Sequence, residues 1–147
     1  MTARLSDDVI ESIHAIMHLY RSRQYRALRG GPHDITHMEN KALGFFARHP
    51  GATQSDLVSH SGRDKAQLAR LIHSLRDKGL LEARVDADDR RSTRLQLTPE
   101  GAAIHKRLHK QGTRLSGIAV KGLSQEECDQ LVSLLQRVRA NLESEPE

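Results

Sequence analysis

The chain is poor in the residues that build aromatic cores and covalent cross-links. Aromatic residues make up 3% of its 147 residues, there is no tryptophan, and Cys128 is the single cysteine. One cysteine excludes an internal disulfide and fits a reducing compartment. With 37% apolar residues, the core is expected to consist mainly of leucine, isoleucine, valine and alanine. So lean a core in a helical chain favours burial of further apolar surface against another subunit.

Long apolar runs and catalytic patterns are also missing. No run approaches the ~20 apolar residues of a membrane helix, and residues 1–11 lack the apolar core of a signal peptide. We therefore expect a cytoplasmic protein without membrane contact. No Ser-His-Asp, paired-carboxylate or phosphate-loop spacing is present, and Gly30-Gly31 follows no strand that would make it a phosphate cradle. The sequence thus predicts a protein that is not an enzyme and carries no cofactor.

The charge is unevenly distributed. The formal net charge is +4, and residues 12–33 and 102–123 contain arginine or lysine but no acidic residue, whereas the segment from residue 124 is net acidic. Basic helix faces suit a polyanionic partner. A solvated helix surface has the same composition, so charge alone leaves both interpretations open.

Apolar periodicity and capping signals predict six helices and one β-hairpin in the order α-α-α-α-β-β-α-α. Thr-x-x-Glu at Thr36 and Ser-x-x-Glu at Ser124 are capping boxes, Thr98-Pro99 opens a helix, and Gly79 is a left-handed C-cap. The predicted helices cover about residues 6–28, 36–49, 53–61, 64–77, 98–120 and 124–142, and the strands cover 80–84 and 93–97.

Two of these helices have the spacing of a helix-turn-helix. Leu57 and Leu68 lie on either side of Gly62, where the backbone must bend sharply. The outward face of the second helix then presents a lysine, a glutamine and an arginine, which are able to bond phosphates, adenine and guanine in a major groove. An ordinary amphipathic helix with a polar solvent face is the alternative. The residues in question are Lys65, Gln67 and Arg70.

A charged hairpin follows directly. Residues 79–101 read GLLEARVDADDRRSTRLQLTPEG, with two alternating runs around a tip rich in aspartate and arginine. Such a ribbon after a helix has the form of a DNA-binding wing, because arginines at its tip are able to enter the negative minor groove.

Residues 56–101 resemble the MarR family of winged-helix regulators. The most specific piece is DDRRS followed by LTPEG, preceded by LRDKGLL. The resemblance implies a fold that is mainly α with a small β-wing (α+β), a winged helix-turn-helix with six helices. It also implies an obligate homodimer that reads a pseudo-palindromic operator. In that single domain, residues 1–33 and 102–147 would supply dimerisation helices and residues 36–100 the DNA-binding lobe.

The resemblance also carries residue roles. Asp89 and Arg91 match the family's wing pair, in which the aspartate orients a nearby arginine while Arg91 reaches the minor groove; Arg90 competes for that place. Ser61 and Arg63 stand where the family is usually apolar, and Ala66 where it often has a hydroxyl, which leaves turn geometry and base preference open. The expected DNA contacts are Thr53, Gln54, Ser55, Arg63, Lys65, Ala66, Gln67, Arg70, Arg84, Asp89, Arg90, Arg91 and Arg94, with Arg84 and Arg94 expected on phosphates.

The family analogy further implies a repressor released by a small phenolic or anionic effector. Its expected pocket, between dimer helices and lobe, includes His14, His18, Phe45, Ile104 and Leu108. Alternatives remain. The i,i+4 pairs His14/His18 and His105/His109 would suit zinc, although we expect no metal. Cys128 would suit redox sensing. Docking of a winged dimer on a protein partner is a further alternative, but three wing arginines favour DNA instead.

Overall fold

The computed structural model describes residues 3–89 and 91–146. The chain divides into two compact units, Met1–Gly112 and Thr113–Glu147. The described residues form six α-helices, one 3₁₀ turn and a two-stranded sheet, which confirms the predicted mainly-α class and element order. The elements are α1 (Ala3–Gln24), the 3₁₀ turn (Arg26–Leu28), α2 (His37–Arg48), α3 (Gln54–Ser61), α4 (Lys65–Asp77), β1 (Leu81–Val85), β2 (Thr93–Leu97), α5 (Pro99–Ala119) and α6 (Gln125–Ser144).

Local capping signals set the starts of several helices, as predicted. At α2 the hydroxyl of Thr36 accepts the Glu39 amide and the Glu39 carboxylate accepts the Thr36 amide, both at 3.1 Å. Ser124 and Glu127 form the same box at the start of α6. A further box, formed by Thr53 with an aspartate three residues later, opens α3. These exchanges satisfy amides that have no partner within the helix.

The first helix does not run to Leu28 as the periodicity predicted. It ends at Gln24 and is followed by the separate 3₁₀ turn. The reason is tertiary packing: Tyr25 and Leu28 are buried, and the Tyr25 hydroxyl lies 3.1 Å from His37 Nδ1 and accepts from Asn40 Nδ2 at 3.1 Å. A tighter turn brings both side chains toward α2, and this overrides helix propensity.

The first strand begins one residue later than predicted, at Leu81. The Leu80 amide donates to the Leu75 carbonyl at 2.9 Å, around Gly79 in the left-handed region (φ +72°). That bond is the six-to-one contact of a Schellman motif. Because Leu80 closes the end of α4, the antiparallel ladder starts at the next residue, with Leu81 opposite Leu97.

The core of the first unit is aliphatic, as composition predicted. α2, α4, the turn before β1 and α5 contribute its fully buried side chains, and Phe46 lies among them rather than beside a pocket. The largest of these are Phe46, Leu43, Leu68, Leu75, Leu80 and Leu108. At Gly101 the backbone of α5 approaches the residue before β1 so closely that an added Cβ would overlap the carbonyl oxygen of Leu80. This approach fixes the base of the hairpin against α5.

Two helices keep their apolar stripes exposed. In α1 no residue is buried, and Val9, Ile10, Ile16 and Met17 all face solvent. In the second unit α6 likewise buries none of its residues. Its exposed apolar side chains are Leu131, Val132, Leu134, Leu135 and Leu142. The predicted periodicity is therefore present, but this chain does not cover either stripe. Of the helices described, none has the length and apolar character that crossing a membrane requires.

Candidate nucleic-acid interface

The helix-turn-helix is built around Gly62. This residue ends α3 in the left-handed region (φ +66°), and its amide donates to the Val58 carbonyl at 3.0 Å. The Arg63 amide donates to the Ser61 hydroxyl at 3.2 Å, so a polar contact stands where the family is usually apolar. Three residues later α4 begins, and Leu57 and Leu68 are buried on the two sides of the turn. Glycine is favoured here because other side chains are strained at positive φ.

The beginning of α4 presents the side chains that the sequence assigned to base reading. Lys65, Ala66 and Arg70 are exposed and Gln67 is half-buried. The opposite face buries Leu68, together with Ile72 and Leu75 further along the helix. Because the apolar stripe fixes the rotation of the helix, the polar positions are directed to solvent.

The amino end of α3 holds three further predicted contacts. Thr53 is the N-cap, with Gln54 half-buried and Ser55 exposed in the first turn. The Thr53 amide donates to the Asp56 carboxylate at 2.9 Å. Hydrogen bonds from the amide and hydroxyl of Thr53 lower the pKa of Asp56. A carboxylate thus already occupies part of this helix end, which leaves the amides of residues 54 and 55 as the groups suited to a phosphate.

The wing is a regular antiparallel pair with one apolar face. Leu81 and Leu95 point to the core. Arg84 and Arg94 lie directly opposite each other in the register, but their environments differ. The Arg84 side chain is 72% exposed, and its Nη2 lies 3.8 Å from Glu82 Oε1. An exposed pair at this distance is weak, so Arg84 is able to exchange Glu82 for a phosphate.

At the tip Asp89 bonds to the main chain. Its Oδ1 accepts the Arg91 amide at 3.0 Å and its Oδ2 accepts the Ser92 hydroxyl at 3.4 Å. The resemblance assigned Asp89 to the orientation of an arginine side chain, which stays a prediction; within the described residues its carboxylate shapes the turn. Arg91 is exposed. Arg90, the competing candidate, lies outside the described residues.

Within the described part of the hairpin, an aspartate holds the side chain of Arg94. Its Nε and Nη2 donate to Asp86 Oδ2 at 3.0 and 2.8 Å, and its Nη1 donates to the Gly51 carbonyl at 3.2 Å. The pKa of Asp86 is lowered, first by the Asp88 amide and then by Arg94. This contact was not predictable from the residue pattern, because Gly51 is 43 residues away.

A second contact that sequence reasoning missed joins α4 to α2. Glu39, the one charged side chain buried in the described part of the chain, accepts from the Ser74 hydroxyl at 2.9 Å and from Lys78 Nζ at 3.1 Å. Lys78 also donates to the Asp34 carbonyl at 2.8 Å. The capping box revealed Glu39, but only as a local partner of Thr36. The Glu39 carboxylate therefore links the end of α4 to the start of α2.

The five residues predicted for an effector pocket do not line one cavity. Phe45 borders a cavity of about 550 Å³, whereas His14 and His18 border a second, open depression of about 660 Å³. Ile104 and Leu108 are buried in the core. The first cavity also contains Asn40, Lys41, Arg48, His60, Arg63 and His105.

His105 gives this first cavity a polar group that periodicity did not single out. Its Nδ1 is buried without a hydrogen-bond partner among the described residues, as is Asn40 Oδ1. Burial lowers the pKa of His105, with smaller effects from His109 and Arg48. Among the described residues no group of three or more His, Cys, Asp or Glu side chains is arranged to hold a metal ion.

Comparisons with known proteins agree with this geometry. A model described as MarR family matches residues 33–92. The HTH-type transcriptional regulator PetP of Rhodobacter capsulatus is 38% identical over 76 residues, which are 52% of this chain but only 46% of PetP. A S. aureus MepR–DNA complex has a TM-score of 0.69 at 25% identity, over 88% of this chain and 93% of that one. Apo MarR from E. coli has a TM-score of 0.66 at 28% identity, over 87% and 93%.

Proposed function

This chain belongs to the MarR family, and from that membership we propose that it is a homodimeric, sequence-specific DNA-binding transcriptional regulator. We infer that it represses by occupying a pseudo-palindromic operator and that a small effector releases it. The family is one of transcriptional regulators and not of enzymes, and the similar S. aureus MepR has been solved as a DNA complex.

One observation carries the proposal: each of the two candidate DNA-contacting elements carries exposed cations without an ionic partner, although Arg84 and Arg94 of the wing are paired. Within residues 3–89 and 91–146, no ion pair involves Lys65, Arg70 or Arg91. Side chains without an internal partner lose nothing inside the protein when they bind phosphate or a base edge. Each phosphate they neutralise releases counterions, which favours binding at low salt.

Each element has a defined task in this proposal. The start of α4 enters the major groove, where Gln67 bonds adenine and Arg70 bonds guanine. Lys65 and Arg63 contact the backbone. Arg91 enters the minor groove, where the potential is most negative. Thr53, Gln54, Ser55 and Arg84 fix the register on phosphates, and Ala66 contacts the base edges through its methyl group.

The exposed apolar stripes of α1 and α6 support the homodimer. Stripes of this kind are unusual on a monomer surface and mark protein–protein contacts. A two-fold dimer would place two reading helices in successive major grooves, about 34–36 Å apart. We propose residues 1–33 and 102–147 as the dimerisation region and residues 36–100 as the reading lobe.

The effector is proposed to enter the cavity beside Phe45. Lys41 and Arg48 supply positive charge there, and the unpartnered His105 Nδ1 supplies a hydrogen-bonding group. A small aromatic ring carrying a carboxylate or phenol fits this combination of an aromatic wall, cations and one polar atom. Release requires that the ligand prefer one arrangement of the lobes by about 1–3 kcal/mol.

Selection of bound sequences from random DNA, followed by titration of the selected operator, tests the proposed function. Arg91→Ala is expected to weaken operator binding by about 1–3 kcal/mol, and affinity is expected to fall steeply with salt. Arg76→Ala, in the last turn of α4, is the matched control, because it removes the same charge from an exposed residue outside the proposed DNA contacts and the dimerisation region.

Light scattering in parallel must give a dimer mass for the wild type and both variants. A monomer at micromolar concentration refutes the homodimer. Equal affinity of Arg91→Ala and wild type refutes the wing assignment. A flat response to salt points instead to a protein partner.

A further inference from the structure

Arg94 connects three parts of the reading lobe. It stands on β2, holds Asp86 beyond the end of β1 through two donors, and reaches the Gly51 carbonyl between α2 and α3. The Arg94 side chain is 49% exposed, against 72% for Arg84 across the ladder, and the Asp86 side chain is 17% exposed. We call Arg94, Asp86 and the Gly51 carbonyl the Arg94 clamp. Three of the five N–H donors of Arg94 are used here. Because the guanidinium group is planar, three bonds are enough to fix its orientation.

Main-chain bonds run beside the Arg94 clamp. The Gly51 amide donates to the Leu95 carbonyl and the Leu95 amide donates to the Ala52 carbonyl, both at 2.9 Å. The same loop is thus tied to β2 by two main-chain bonds and one side-chain bond. These contacts determine the angle at which the hairpin leaves the helix-turn-helix.

Asp86 organises the tip as well. Its Oδ1 accepts the Asp88 amide at 3.0 Å, and its own amide donates to the Ser92 carbonyl at 3.0 Å. One carboxylate therefore shapes the turn with one oxygen and holds Arg94 with the other. Loss of its charge would loosen the tip and the hairpin angle together.

We propose that Asp86 and Arg94 are positioning residues for DNA binding: the Arg94 clamp holds the wing at the angle that lets its tip reach the minor groove. Arg94 acts through the wing and not as a phosphate contact, in contrast to Arg84. This inference rests on the proposed function, because it takes DNA as the ligand that the wing meets.

The two possible roles of Asp86 predict opposite changes in DNA affinity when its charge is removed. Asp86→Asn removes a negative charge from a DNA-facing hairpin. If Asp86 acted only through its charge, the variant would bind DNA more tightly, since repulsion from phosphate would fall. If the Arg94 clamp positions the wing, the variant binds more weakly in spite of the gain in net positive charge. Asp88→Asn is the matched control, because the Asp88 side chain is exposed and two residues away.

The experiment measures operator affinity over a salt series for wild type, Asp86→Asn, Asp88→Asn, Arg94→Gln and Arg84→Gln. We expect Asp86→Asn and Arg94→Gln to lose about fivefold or more in affinity, with an unchanged salt slope. Arg84→Gln is expected to reduce the slope by about 0.9 as one phosphate contact is lost. Asp88→Asn is expected to bind as well as wild type or better.

Hydrogen exchange in the free protein supplies a readout that does not depend on DNA. The Leu95 amide is expected to exchange faster in Asp86→Asn and Arg94→Gln than in wild type or Asp88→Asn, while the Leu80 amide does not change. Tighter DNA binding by Asp86→Asn overturns the proposal. The proposal is also overturned if the Leu95 amide exchanges at the wild-type rate in both variants and Arg94→Gln reduces the salt slope as Arg84→Gln does. If wild type binds no DNA, the proposed function fails, and Leu95 exchange still decides whether the clamp holds the hairpin.

Discussion

Replacement of Gly101 by alanine is expected to destabilise the protein, although glycine is a poor helix former. The new Cβ would overlap the Leu80 carbonyl, and both sides of this contact are main chain, so no change of rotamer relieves it. The start of α5 would have to move away from the hairpin. That movement strains the Thr98 amide bond to the Leu80 carbonyl (3.2 Å) and the Thr98 hydroxyl bond to the Gly79 carbonyl (2.6 Å).

The magnitude follows from three effects. Overpacking typically costs about 1–3 kcal/mol, and each weakened hydrogen bond costs about 0.5–1.5 kcal/mol. Alanine returns up to about 1 kcal/mol of helix propensity. We therefore expect Gly101→Ala to lower the free energy of unfolding by about 1–5 kcal/mol.

Urea unfolding at fixed protein concentration measures this change. Gly117→Ala in the same helix is the control, because nothing in the chain lies within 4 Å of its added Cβ, and it should be neutral or stabilising. A Gly101→Ala variant within about 0.5 kcal/mol of wild type would show that the close approach is not a constraint.

Two further predictions concern the first cavity. Burial lowers the pKa of His105 below 6.5 and does the same for His37. As the pH falls, the unfolded chain therefore takes up protons before the folded chain does. The free energy of unfolding should decrease as the pH drops from about 6.5 through the lowered pKa of the folded state. His105→Gln should reduce this dependence in urea unfolding measured over that range, and an identical profile in the variant would contradict the assignment. Small aromatic carboxylates and phenols should release operator DNA from wild type. Arg48→Gln should need higher ligand concentrations for release, whereas His18→Gln, at the second depression, should respond as wild type. Loss of release in His18→Gln alone would place the effector in the second depression.

Much of the fold was predictable because its signals are local. Thr36 with Glu39, Ser124 with Glu127, and Gly79 act within a few residues of themselves, and the structure confirms all of them. Apolar spacing likewise predicted the buried face of α4. Short-range chemistry of this kind needs no knowledge of the remaining chain.

What the sequence missed has long-range causes. α1 stops at Gln24 because Tyr25 is drawn toward α2. Arg94 contacts Asp86 and a carbonyl 43 residues away, and neither contact was predicted. Pairing between an arginine and one of three nearby aspartates depends on the angle of the hairpin, which the residue pattern does not encode.

The five residues predicted for one effector pocket lie in different surroundings for a similar reason. Helical spacing does not distinguish a core side chain from one that borders a cavity.

The Glu39 carboxylate has a consequence for how the reading lobe opens. It closes a chain segment between Glu39 and Lys78 that contains α2, α3, the turn and α4. Unfolding of α2 or of the end of α4 breaks this contact, because the two ends share it. We therefore expect the amides around Glu39 and those around Ser74 to exchange together and not helix by helix. Opening of the lobe at either end would then free the other end in the same step.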